Sequence, residues 1–66
     1  MEIFLNGKAR QLENNSNLSH LLKELQLENK RLAVEVNLNI IPRSQFEHYL
    51  LSAGDKVEIV HAIGGG

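Results

Sequence analysis

Apolar positions recur along this chain in two rhythms, a period of two in several short stretches and a helical period in one. Glu2-Ile3-Phe4-Leu5 is short, apolar and rich in strand formers. It runs into Asn6-Gly7, a dipeptide that accepts positive φ at both positions and is the strongest short hairpin signal. A second strand is expected over residues 8–12. Its register has two readings. A two-residue turn places Lys8 and Arg10 on the face of Ile3 and Leu5; a three-residue loop with a bulge places Ala9 and Gln11 there.

The polar stretch Glu13-Asn14-Asn15-Ser16-Asn17 breaks the strand, and Asn17 has the side-chain oxygen of a good N-cap. Leu18, Leu21, Leu22 and Leu25 then fall at i, i+3, i+4 and i+7, one narrow apolar stripe on a helix. Leu27 falls opposite the stripe, so the helix is predicted to end near Gln26. Residues 32–37 read as a strand with Val34 and Val36 on one face and Glu35 on the other. Asn37-Leu38-Asn39 reads as a turn, and Ile40-Ile41 as a very short strand stopped by Pro42, which cannot donate to a ladder. Ser44 is expected to cap one helical turn, and Phe46, Tyr49 and Leu50 to close the core beneath it. Ala53-Gly54-Asp55 is a turn. Residues 56–61 form the last strand, with Val57 and Ile59 alternating against Glu58. A hairpin followed by a helix that must cover the sheet predicts a two-layer α+β domain.

Size narrows the functions open to such a domain. The chain has 66 residues, and a domain this small buries only about 60% of the surface its unfolded chain exposes. A substrate pocket of about 300 to 1,000 Å³ would consume most of that core. The candidate chemistry is sparse as well. His20, His48 and His61 are widely spaced and match no metal pattern; each reads as a solvated surface histidine. The carboxylates are scattered singly. No phosphate loop is present, and no cysteine, so disulfides, thiol nucleophiles and thiolate zinc sites are excluded. Seven Lys and Arg against eight Asp and Glu give a net charge of −1, without the clustered basic excess of a nucleic-acid binder. No segment approaches the ~20 apolar residues of a membrane helix. Nothing resembles an export signal, and the expected compartment is the cytoplasm.

The unusual feature is the end, Gly64-Gly65-Gly66. Three consecutive glycines at a fixed place arise with a chance of about 3 in 10,000 from average usage. They have no side chains to pack and lose the most entropy on ordering, so residues 1–63 are expected to fold and 64–66 to be a flexible tail. Without Cβ atoms such a tail is as narrow as peptide can be. Three extended residues reach at most about 10 to 11 Å, far enough to carry the terminal carboxylate into a tunnel that admits no side chain. A carboxylate is a poor electrophile. Converted by ATP into an acyl-adenylate, it could be attacked by a sulfur or nitrogen nucleophile in a partner's active site. The competing reading is an idle, unordered end.

On these residues the chain resembles the ThiS family, the sulfur carrier proteins of thiamine (thiazole) biosynthesis. The likeness spans the Leu-Leu helix, Ala33-Val34-Glu35-Val36-Asn37 leading to Ile40-Ile41-Pro42-Arg43, Gly54-Asp55-Lys56-Val57-Glu58-Ile59, and Ala62-Ile63-Gly64-Gly65-Gly66. The resemblance implies a ubiquitin-like β-grasp fold, a mixed sheet with one main helix across it. It implies that the chain is a carrier rather than an enzyme and binds no cofactor or metal. An E1-like adenylyltransferase (ThiF type) would activate the Gly66 carboxylate with ATP, and sulfur from a cysteine-desulfurase persulfide would give a Gly66 thiocarboxylate. Thiazole synthase (ThiG type) would then take the sulfur, with Gly64 and Gly65 as the tail entering both partners and no processing step required. The absence of cysteine fits, since the terminal carboxyl is then the remaining place to hold sulfur. Neither nucleic acid nor membrane is an expected partner. The alternatives are a carrier of the molybdopterin synthase type and a ubiquitin-like protein modifier.

Partner contact is expected near the tail. Val60 and Ala62 alternate away from Val57 and Ile59, Ile63 lies beyond the sheet, and Phe4 is assigned to the outer face. These four are the candidate partner surface. The other reading is that residues 42–51 cover this second apolar face.

Overall fold

A computed structural model of the chain describes residues 1–61. Its strands are β1 (Glu2–Leu5), β2 (Lys8–Gln11), β3 (Leu32–Val36), β4 (Asn39–Ile40) and β5 (Lys56–His61). One helix, α1 (Leu18–Glu24), and a 3-10 turn at Arg43–Gln45 complete the regular structure. The strands form one mixed sheet in the order β2-β1-β5-β3-β4, with β1 and β5 parallel and the other neighbours antiparallel. The helix and the 42–51 segment pack on one face of this sheet.

The first hairpin adopts the two-residue turn. Asn6 and Gly7 have φ of 49° and 85°, and Ile3 pairs with Arg10, Leu5 with Lys8. That register puts two basic residues on the core side. It is tolerated because β2 is an edge strand. Arg10 is half-buried and its guanidinium reaches Glu24 on the helix at 3.3 Å, so its aliphatic stem lies along the core margin while the charge stays at the rim.

Asn17 caps the helix as its residue type predicts: its extended backbone lets Oδ1 accept from the His20 N–H at 2.7 Å. Leu18, Leu21 and Leu22 are buried. The helix stops at Glu24, two residues short of the expected end, because Gln26 takes φ 60°. The Gln26 N–H then donates to the Lys23 carbonyl at 3.0 Å and the Leu27 N–H to the Leu22 carbonyl at 2.8 Å. This paired C-terminal closure turns the chain back on itself. Leu27 is thereby half-buried against the core rather than opposite it.

The 42–51 segment differs from expectation in two places. Ser44 does not cap the short turn; it lies inside it, and Pro42 occupies the cap position with no side-chain cap bond. Proline's fixed φ, here −64°, suits that place. Leu50 is 60% exposed and Leu51 is buried in its stead. The reason is a bridge with residues 16–18. The Leu18 N–H donates to the Tyr49 carbonyl at 3.1 Å and the Leu51 N–H to the Ser16 carbonyl at 2.8 Å. The bridged backbone is extended and side chains alternate, so Leu50 faces outward and Leu51 inward. Phe46 is buried and Tyr49 half-buried, as expected.

The core therefore lies on one side of the sheet. Ile3, Val34, Val36 and Val57 present fully buried side chains to Leu18 and Leu21. The other side has no covering element among the described residues.

Candidate functional site: the final strand and the bare face

The last strand is rich in branched residues, Val57, Ile59 and Val60, which favour a pleated backbone. It sits at the centre of the sheet, so the 62–66 segment continues from a strand held on both sides. On one side β3 pairs with it throughout, from Val36 with Val57 to Leu32 with His61. On the other, β1 pairs Phe4 with Lys56 and Leu5 with Val57, and the Asn6 N–H adds a bond to the Val57 carbonyl at 2.8 Å. Asn6 then turns into the hairpin, and its side-chain amide takes over: the Ile59 N–H donates to Oδ1 at 2.9 Å, and Nδ2 donates to the Ile59 carbonyl at 3.4 Å.

Asn37 has the matching place at the strand's start. Its φ is 51°, its N–H donates to the Lys56 carbonyl at 2.8 Å, and its Oδ1 accepts from the Lys56 N–H at 3.0 Å. Its Nδ2 donates to Asp55 at 3.0 Å. These two asparagines escape a reading of the sequence. Each shows only a turn signal, while the contacts span 53 and 19 residues.

Of the candidate surface residues, Phe4 and Val60 both lie on the bare face, 37% and 56% exposed. They do not touch one another as a pair. Phe4 is level with Lys56, four residues before Val60, a separation of about 13 Å along the strand. Between them Glu58 faces outward beside Glu35 of β3. Ala33, opposite Val60, and Ile40, opposite Glu35, extend the apolar part of this face toward β4. Ile40 is 73% exposed. The face thus combines apolar side chains with a central pair of carboxylates, and Lys56 shares it beside Phe4. Alternation along β3 already assigns Ala33 to it; Ile40 needs the β3–β4 register. Ala62, Ile63, Gly64, Gly65 and Gly66 lie outside the described residues.

Other polar groups serve the fold. A hollow of about 680 Å³ opens between α1 and the 3-10 turn and includes no residue of β5. Its Arg43 stacks over Phe46 with 5.9 Å to the ring centroid and donates to the Lys30 carbonyl. His20, expected in solvent, is half-buried and lies 2.9 Å from Glu24; His48 and His61 are exposed. Among the described residues no three His, Cys, Asp or Glu gather as a metal site, and no helix is long and apolar enough to cross a membrane.

A mixed five-stranded sheet gripping one helix, with a central final strand leading to a glycine end, defines a ubiquitin-like β-grasp domain. The crystal structure of the thiamine biosynthesis protein ThiS from Geobacter metallireducens superimposes with a TM-score of 0.87, at 29% identity and over the whole of both chains. The sulfur carrier protein ThiS of Bacillus subtilis is 40% identical over 63 residues, 94% of this chain and 96% of that one. A thiazole synthase of Paramagnetospirillum magneticum is 39% identical over 66 residues, all of this chain. The chain spans about a fifth of the length of the thiazole synthases it matches. The sequence model of the ThiS family matches residues 3–66, and the chain belongs to that family.

Proposed function

We propose that this protein is the sulfur carrier for thiazole formation in thiamine biosynthesis, and that the Gly66 carboxyl group is where the sulfur rides. The observation that carries the reading is family membership across the whole fold, joined to a Gly64-Gly65-Gly66 end. The match to part of a thiazole synthase supports the pairing with that reaction, because a like stretch there shares one polypeptide with a protein of that name.

In this reading the chain is a co-substrate, not a catalyst. A ThiF-type adenylyltransferase converts the Gly66 carboxylate and ATP into an acyl-adenylate and pyrophosphate. The weak electrophile becomes a strong one because AMP is a good leaving group. The outer sulfur of a persulfide, originating from a cysteine desulfurase, attacks the adenylate and displaces AMP to give an acyl disulfide. A thiol then cleaves the S–S bond, leaving the Gly66 thiocarboxylate and a new disulfide. A ThiG-type synthase moves that sulfur into its substrate, and an oxygen taken from the substrate or from water replaces it and returns the carboxylate. ATP belongs to the partner's site. Residues 64–66 are the narrow tail that enters both enzymes, and Phe4 and Val60, with Ala62 and Ile63 next in the chain, are the surface by which the partners are met. The domain supplies solubility, a docking face and a fixed origin for the tail.

The test is reconstituted thiazole formation with the partner enzymes. A chain lacking Gly66, or ending in an amide, is expected to supply no sulfur while retaining its fold. Undiminished thiazole from either variant contradicts the assignment.

A further inference from the structure

We propose that Asn6 is a positioning residue for the carboxyl-terminal tail: its side-chain amide stands in for one more peptide unit of β1 and so fixes the stretch of β5 from which the tail continues. This rests on the proposed use of Gly66.

The argument is one of strand geometry. Along β1 the Phe4 N–H donates to the Asp55 carbonyl at 2.9 Å and the Asn6 N–H to the Val57 carbonyl at 2.8 Å. A β1 that ran on would next bring the Asn6 carbonyl against the Ile59 N–H, and the N–H of residue 8 against the Ile59 carbonyl. It cannot run on, because Asn6 at φ 49° begins the hairpin. The Asn6 Oδ1 and Nδ2 meet these two groups instead, at 2.9 and 3.4 Å. Glycine or aspartate also suits the turn, but of these three residues only asparagine both accepts and donates through its side chain. A residue chosen for the turn alone need not be asparagine; asparagine combines the turn's positive φ with both bonds to β5.

Position along β5 separates Asn6 from its counterpart. Asn37 bonds Lys56, at the strand's beginning. Asn6 bonds Ile59, two residues before the described strand ends. Both support the sheet, but only Asn6 acts where the tail originates. At most about 17 Å of extended chain separates His61 from the Gly66 carboxyl. A displacement of about 1 Å at a reacting atom can cost about 100-fold in rate.

The experiment compares Asn6→Gly with Asn37→Gly, both relaxed at positive φ. The readouts are amide exchange at Ile59 and pyrophosphate release by the ThiF-type enzyme at varied carrier concentration. Asn6→Gly is expected to speed Ile59 exchange and to lower kcat/KM by about tenfold, the loss of two hydrogen bonds of ordinary net strength. Asn37→Gly, with a comparable loss of thermal stability, is expected to leave kcat/KM within about twofold. Asn6→Asp, which keeps the acceptor and loses the donor, should fall between, and it carries the comparison if the glycine variant does not fold. Equal kcat/KM for Asn6 and Asn37 variants, or unchanged Ile59 exchange, overturns the positioning role. No pyrophosphate with the unaltered chain overturns the proposed function and this inference with it.

Discussion

The two faces of the sheet are made by the same alternating strands and have opposite fates. Toward the helix, Ile3, Val34, Val36 and Val57 are fully buried against a stripe of leucines. Away from it, Phe4, Val60 and Ile40 remain in solvent around the Glu35–Glu58 pair. The described residues form one α-helix for two faces, and the 42–51 segment, which offered a second cover, packs beside the helix instead. The fold is therefore secured from one side only. The other side, and the tail that continues from the central strand, are left for partners in the proposed function. Stability and function are assigned to different residues, so they should be separable by mutation.

The largest expected effect is on the covered face. Leu21→Ala removes a fully buried side chain and should cost about 2 to 5 kcal/mol in denaturant unfolding, enough to threaten a domain of this size. A loss under about 1 kcal/mol would mean that the helix does not anchor the core. On the bare face, Val60→Ser should change stability by about 1 kcal/mol or less, the span of strand propensities. Its affinity for the activating enzyme should nonetheless fall by about tenfold or more if this face docks. Equal binding by the variant would break the comparison on the functional side. The smallest effect lies at the sheet's rim. Leu38 has φ 73° and is 84% exposed, so its conformation is strained and its side chain contributes no packing. Leu38→Gly should raise stability by about 1 kcal/mol, the left-handed strain relieved less the entropy glycine adds to the unfolded chain. A destabilised variant would show that Leu38 makes contacts its exposure does not suggest.

How much of this was legible in the sequence follows from the range of each interaction. The leucine stripe, the Asn17 cap, the Asn6-Gly7 turn and the alternation of β3 and β5 are set within a few residues, and all were readable. The hairpin register was not, because either loop length put a polar residue on the face of Ile3 and Leu5, so the pattern of β2 did not choose between them. Leu27 and Leu50 were misplaced for a related reason. A positive φ at Gln26 and a bridge to residues 16–18 reset the direction of the chain, and no periodicity announces either. The bare face was half legible: alternation supplied Phe4 and Val60, while Glu35 beside Glu58 and Ile40 beside Glu35 required the strand pairing. The glycine end stood out through composition and backbone chemistry alone, since glycines without side chains have no part in a core.

The central claim is that the final carboxyl group is the cargo site. The most direct measurement is the intact mass of the chain after incubation with the adenylyltransferase, ATP and a sulfur source. Replacement of one Gly66 oxygen by sulfur predicts a gain of about 16 Da, localised to the last residue by fragmentation. An unchanged mass, with the same enzymes converting another carrier in parallel, would contradict the account.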